Sequence, residues 1–164
     1  MRQPVRVRMG ELVARRRQDA PGGLSICGLG SCVALFVYEK RRHRAGGMAH
    51  VLLPSPLSGS PLTSPGKFAP TAVAALLDAV CQLGAARADL RAKVIGGAEM
   101  FAFTSGERES LGGRNVRATL MALELEGIPI EGMDVGGSTG RTLVADIGTG
   151  VIRVTSLRRA PKDI

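Results

Sequence analysis

Tryptophan is absent from this 164-residue chain, and the aromatic complement is one tyrosine and four phenylalanines. Histidine occurs twice, as His43 and His50, and cysteine three times, as Cys27, Cys32 and Cys81. Each scarcity excludes something. Three cysteines cannot all pair within one chain, so a disulfide framework is out, and reduced thiols in a cytoplasmic compartment are expected. Chemistry that needs several histidines is excluded, since any His-dependent step has two residues to choose from. No apolar run approaches the roughly 18 residues that cross a bilayer. The opening residues, MRQPVRVRMGELVARRR, lack the apolar stretch of a secretory signal. Acids are also in the minority, with 14 Asp and Glu against 22 Lys and Arg, for a net charge of +8.

What is present is 45% hydrophobic, which excludes disorder for most of the chain. The length suits one compact domain over residues 1–164. Basic residues cluster at Arg15, Arg16 and Arg17 and again at Arg41, Arg42 and Arg44, and the pI is about 10.4. Basic surfaces of this kind neutralise phosphates in nucleic-acid binders, but such binders interleave aromatics for stacking. Only Phe36, Tyr38, Phe68, Phe101 and Phe103 are aromatic here. The clusters therefore read as solvated loop ends flanking strands, or as a surface that steers toward an acidic protein partner, with nucleic acid disfavoured.

The pattern of apolar residues predicts strands over Val5–Arg8, Leu12–Arg16, Leu24–Cys27, Cys32–Tyr38, Met48–Leu53, Lys93–Ile95, Ile128–Asp134, Thr142–Asp146 and Val151–Leu157. Helices are expected from about Pro70 to Leu83, with Val73, Leu76, Leu77 and Val80 on one face, and from about Asn115 to Glu126, with Val116, Leu120 and Leu123 facing the core. Between Leu53 and Pro65, four prolines and several serines predict a long loop, and loops of that length border sites. Many short strands and two helices give an α+β sandwich with helix packed on sheet.

Several motifs fail on spacing. Cys27-x4-Cys32 and His43-x6-His50 lack zinc-ligand intervals, and a strand fills the place of the knuckle, so no metal is expected. Gly28-x-Gly30 precedes a strand instead of opening a helix, and Gly66-Lys67 has no upstream glycine at the phosphate-loop offset. No cofactor has motif support. What survives is Gly28-Leu29-Gly30-Ser31-Cys32 followed, eighteen residues on, by His50 in Gly47-Met48-Ala49-His50. A hairpin of this length brings His50 beside Cys32, and a Cys–His pair is the minimum for nucleophilic catalysis on an acyl group. The plain structural reading stands beside it: a cysteine at a strand start is also a small core side chain, and a histidine after Gly-Gly is also a packing residue.

The segment GLGSCVALFVYEKRRHRAGGMAHVLLP closely resembles the signature of the CheD family, the glutamine deamidases of chemotaxis receptors. The likeness continues through PGKFAPTAV, AKVIGGAEMF, LGGRNV, DVGGSTGR and TGVIRV, and so runs from about Gly10 to Thr155. The resemblance implies a β-sandwich of mixed sheets flanked by helices, layered α/β/β/α and similar to the catalytic domain of cytotoxic necrotising factors. It implies a protein-glutamine glutaminase that needs no cofactor, acting on the cytoplasmic helices of chemoreceptors and binding a CheC-type phosphatase. Carried over by motif, Cys32 is the nucleophile and His50 the general base and acid. Gly30, Ser31, Gly97, Met100, Arg114 and Asn115 are candidates for the substrate-binding surface. For Asn115 and its neighbours the alternative is turn geometry, with Asn115 capping the second helix.

One position departs from the family pattern. A threonine commonly stands six residues before the cysteine, and this chain has Ile26 there. Two readings follow. A backbone carbonyl at or near Ile26 orients His50 in place of the threonine hydroxyl, or catalysis is weakened and the protein serves as a non-catalytic adaptor of the CheC phosphatase. A different Cys–His hydrolase, such as a peptidase, is the third possibility.

Overall fold

The strands β4 (Val33–Glu39) and β5 (Ala45–Val51) are buried at every residue. A strand without an exposed residue needs cover on both faces of its sheet, and the layers of the molecule follow from that requirement. The computed structural model describes residues 2–59, 61, 64–100, 109–157 and 159–164. The two strands lie inside a mixed sheet of order β2-β5-β4-β6-β7, in which β2 is Leu12–Arg16, β6 Leu90–Gly96 and β7 Ile130–Val135. Only the β6–β7 pairing in it is parallel.

Alternation along β4 assigns its two faces. Val33, Leu35 and Val37 belong to a core shared with α1 (Ala69–Gln82) and α2 (Leu111–Leu125). Ala34, Phe36 and Tyr38 belong to a second core with Leu24, Ile26, Leu29, Leu143 and Ile152. This second core fills the space to the other mixed sheet, of order β1-β3-β8-β9-β10. There β1 is Val5–Arg6, β3 Leu24–Leu29, β8 Arg141–Ala145, β9 Ile152–Ser156 and β10 Arg159–Asp163. In β8 and β9 buried residues alternate with more exposed ones, the pattern of a sheet with one wet face. The α+β sandwich of mixed sheets is thus as expected. Its outer layering is not: both helices cover the same sheet, so among the described residues the order is α/β/β, and no described helix supplies the fourth layer.

The first helix buries Val73, Leu76, Leu77 and Val80 as the periodicity predicts. The second begins a turn earlier than expected. Ser110 caps it by accepting a 3.0 Å hydrogen bond from the Gly113 N–H, so Asn115 is a buried interior residue and not the cap. Two glycines at a helix start read as a loop because glycine is a poor helix former, yet a Cβ on Gly112 would lie 2.4 Å from the Gly97 carbonyl oxygen. The glycine is there for close approach of helix to turn. Strand β10 (RAPKD) carries no apolar signal, being exposed along its length, and its register shifts around Pro161, as edge strands tolerate.

The far end of β4 is closed by an ion pair between a buried carboxylate and an exposed arginine. Glu39 is fully buried and accepts from Arg44 Nε at 3.0 Å and Nη2 at 2.7 Å, as well as from the Ala86 N–H at 3.1 Å. The Arg44 hydrogen bonds are the main cause that holds its carboxyl down at about 2. A carboxylate whose folded pKa is depressed contributes stability above its unfolded value, near 4.5, and loses that contribution as pH falls toward the folded value. Glu39→Gln is therefore expected to lower unfolding free energy by about 2–3 kcal/mol at pH 7. The difference from the parent shrinks between pH 4.5 and 2, and chemical denaturation across that range measures it.

Candidate active site

The pairing of β4 with β5 places Cys32 and His50 relative to one another. Ala34 stands opposite His50 and Val33 opposite Val51. Cys32, two residues before Ala34, therefore shares its face and stands diagonal to His50, with Cα atoms about 7–8 Å apart for such a pair. Cys32 packs against the core between the sheets and is only half-buried, at the edge where that core meets solvent. His50 is 4% exposed. Its backbone is clamped by β2 and the turn before it, since its N–H donates to Glu11 O at 2.9 Å and its carbonyl accepts from Gly10 N at 3.0 Å.

Burial holds the His50 imidazole below its ordinary pKa, opposed by a backbone hydrogen bond to Val7. A backbone group that raises a histidine pKa is an acceptor, so it is the Val7 carbonyl that favours the charged ring. Val7 follows β1, and its N–H donates to Ser25 O at 2.8 Å. The parallel register Arg6↔Ser25 sets Val7 beside Ile26. The backbone acceptor acting on His50 is thus one strand away from Ile26, whose side chain is fully buried in the sandwich core. The second ring atom, Nδ1, is buried and has no hydrogen-bond partner. Burial likewise pushes the Cys32 thiol up, against a lowering contribution from its own backbone N–H.

The turn that carries Cys32 is held through its carbonyls. Gly30 O accepts from Ala98 N at 2.9 Å, and Cys32 O from Gly97 N at 2.8 Å. Between them, Ser31 O accepts from Asn115 Nδ2 at 3.0 Å. Asn115 is fully buried on α2 and gives its other amide hydrogen to Leu52 O at 2.9 Å. One side chain therefore ties the turn that carries Cys32 to the segment just after His50. Because the C=O and N–H of a trans peptide point in opposite directions, tying back the Gly30 and Ser31 carbonyls turns the Ser31 and Cys32 N–H groups outward. The approach is close on the inner side: a Cβ on Gly96, at φ +112°, would lie 2.4 Å from Cys32 O.

The remaining expected residues are distributed unevenly. Gly97 lies under the turn, with φ +65° and a position where a Cβ would meet Val116 Cγ2 at 2.3 Å. Met100 is exposed and lies over Gly30, its Cγ 3.2 Å from where a glycine Cβ would be. Arg114 is half-buried beside Asn115, and its Nε is buried without a partner. Phe101, in the matched segment after Met100, lies outside the described residues. Cys27 is exposed and Cys81 packs against the helix–sheet core, while His43 sits at the far end of the hairpin. Sequence reasoning did not single out Val7 or Leu52, whose contributions are backbone carbonyls and leave no side-chain signature. Beside the turn, Gly28, Met100, Gly140, Thr142, Thr155 and Leu157 line an open groove of about 470 Å³. Among the described residues no group of three His, Cys, Asp or Glu is placed to hold a metal ion, and no helix is long and apolar enough to cross a membrane.

A buried imidazole with a spare nitrogen, diagonal to a thiol on a turn with outward N–H groups, is equipped for acyl transfer. Comparison with known proteins points the same way. The sequence profile of the family described as CheD chemotactic sensory transduction matches residues 52–156. Over 146 residues the chain is 40% identical to the probable chemoreceptor glutamine deamidase CheD of Desulfitobacterium hafniense, spanning 88% of this chain and 90% of that protein. The protein of the same description from Geobacillus kaustophilus is 39% identical over 148 residues, 88% of this chain and 89% of its own. That of Thermococcus kodakarensis is 35% identical over 150 residues, 92% and 91%.

Proposed function

The chain belongs to the CheD family, and on that premise we propose that it is a chemoreceptor glutamine deamidase in which Cys32 is the nucleophile and His50 the general base and acid. The observation that carries these roles is the shared face of Cys32 and His50 together with the unpartnered Nδ1 of His50. With the thiol pushed up and the imidazole pushed down, both groups rest neutral at neutral pH. His50 therefore acts as the substrate arrives, removing the Cys32 proton as sulfur attacks the glutamine carboxamide carbon. The oxyanion that forms is met by the N–H groups of Ser31 and Cys32. The imidazolium gives its proton to the leaving nitrogen, ammonia departs, and a thioester joins Cys32 to the receptor. Water then attacks that carbonyl as His50 takes its proton, and the thiol is restored as the glutamate carboxylate leaves.

The receptor helix docks across the open groove beside the turn. Met100 and Leu157, which line the groove, are among the exposed large apolar side chains. The +8 net charge favours an acidic substrate surface. A CheC-type phosphatase binds the same face in this reading, and both partners are met in the cytoplasm. The test is incubation with a receptor cytoplasmic fragment followed by mass spectrometry. A gain of about 1 Da per converted glutamine with ammonia release is expected. Fragmentation of the receptor would assign a peptidase instead, and binding of CheC without any deamidation would leave an adaptor.

In this mechanism the Val7 carbonyl takes the orienting place of the threonine hydroxyl, so the absence of that hydroxyl at position 26 costs little. Ile26→Thr is expected to change the deamidation rate by less than about threefold. It should lower stability by about 1–3 kcal/mol, because a hydroxyl enters a fully buried apolar site. Rate and thermal unfolding measured on the same preparation check both halves.

A further inference from the structure

The strongest feature that deamidation leaves unused lies at the other end of the hairpin. Arg2, Arg16, Arg17, Arg42 and Arg44, with His43, line an open cleft of about 810 Å³, and Asp146 is the one carboxylate among the lining residues. These arginines come from three separate stretches of sequence, so their convergence is made by topology and not by a run of composition. Arg16 stands opposite Ala45 where β2 pairs with β5. Arg17 N–H donates to Arg44 O at 2.8 Å, which stitches the exit of β2 to the hairpin tip. Arg44 is fixed on the buried Glu39 by the two hydrogen bonds described above.

Two further features mark the cleft as built. His43 has φ 48°, a left-handed backbone that side-chain-bearing residues rarely adopt. Its ring is held flat against Tyr38, with centroids 5.8 Å apart and planes 12° apart. Nδ1 is buried, which leaves Nε2 as the nitrogen available to a ligand. Among the described residues Arg2, Arg16, Arg17 and Arg42 form no ion pair, whereas Arg41, one residue away from Arg42, pairs with Asp89. Arg2, Arg16, Arg17 and Arg42, gathered with Asp146 as the one lining carboxylate, repel one another, and an anion placed among them relieves that repulsion.

We propose that this cleft binds a small polyanion carrying two or more linked phosphate groups. The concave shape and volume suit a compact ligand better than a flat protein surface. Arginine's planar fork grips phosphate oxygens in pairs, and several guanidiniums at one place match several linked phosphates. A monoanion would neutralise only one of them. The cleft is a strand length, about 23 Å, from Cys32, so its occupant does not touch the reacting atoms. The assignment stands apart from the deamidase reading and does not depend on it.

Calorimetric titration of the purified full chain with inorganic tripolyphosphate tests it, with adenosine triphosphate as a second arm. One-to-one binding is expected, weakened by at least about tenfold in the Arg16→Ala/Arg42→Ala double variant. A control of equal charge change outside the cleft, Arg6→Ala/Arg153→Ala, should stay within about twofold. Tighter binding of the triphosphate than of tripolyphosphate would identify a nucleotide as the source of the phosphates, and equal binding an inorganic chain. The proposal is overturned by no saturable binding, or by equal weakening in both double variants. It is overturned also if polyglutamate binds the cleft while tripolyphosphate does not, which would make the cleft an acidic-protein dock.

Discussion

Cys32→Ala is expected to lower ammonia release from a receptor fragment by at least about a thousandfold, while Cys27→Ala and Cys81→Ala stay within about twofold of the parent. The size of the loss follows from what the thiol does. Without sulfur no thioester forms, and direct attack of water on an amide has only the N–H groups of the turn to assist it. The fold should survive, because Cys32 is half-buried at the edge of the core and alanine leaves only the sulfur's small volume empty. General thiol reactivity is a poor guide to the nucleophile here. Burial pushes the Cys32 thiol up, whereas Cys27 is exposed, so an alkylating agent at neutral pH should label Cys27 first. His50 is expected to set the acid limb of the rate profile. Its pKa is lowered from 6.5 by burial, so the active neutral ring persists below pH 6.5 and the rate falls only further into acid. The same shift makes the folded state lose stability as pH drops below that value, since a ring buried neutral must then take up a proton.

Asn115→Ala should cost about 2–4 kcal/mol of stability and lower the deamidation rate about a hundredfold. Its two amide hydrogens are the described side-chain partners of the Ser31 and Leu52 carbonyls, and an alanine leaves both without that donor. The Ser31 bond fixes the direction of the Cys32 N–H, so its loss lets the oxyanion donor drift. The rate effect should appear in kcat more than in KM, because the misdirected group meets charge that exists only in the transition state. Asn115→Asp is the sharper variant. It conserves shape while turning a donor toward two carbonyls into an acceptor, and it should be at least as damaging as alanine. A purely packing role would instead let aspartate, nearly isosteric, retain most of the activity.

Cys32 and His50 were legible as a candidate pair from their interval on a hairpin and from the resemblance to the CheD family. Strand β4 announced itself by its β-branched and aromatic run, whereas Ala45–Gly47 of β5 read as part of the turn because glycine is a poor strand former. The strap that holds the pair was not legible. Asn115 follows two glycines, and local propensity places it at the cap of a later helix. Its role emerges only when Gly112 lets α2 approach the Gly97 turn closely enough for the side chain to reach Ser31 and Leu52. The position of Ile26 shows the same limit from another side. The sequence reveals the absence of a hydroxyl, and only the register of β1 on β3 shows that Val7, whose backbone acts on His50, stands beside Ile26. The outer layers were misjudged for a related reason. Amphipathic helices declare that they have a buried face but not which sheet it lies against, and the charged edge strand β10 has no apolar pattern to read.

The most direct measurement is intact-protein mass spectrometry of the enzyme quenched in acid during turnover of a receptor glutamine peptide, followed by mapping of any adduct. The mechanism predicts a covalent species heavier than the enzyme by the peptide mass less about 17 Da for the departed ammonia, located on Cys32 and discharged by hydroxylamine. Deamidation that proceeds with no such species, or an adduct located on Cys27 or Cys81, would contradict it.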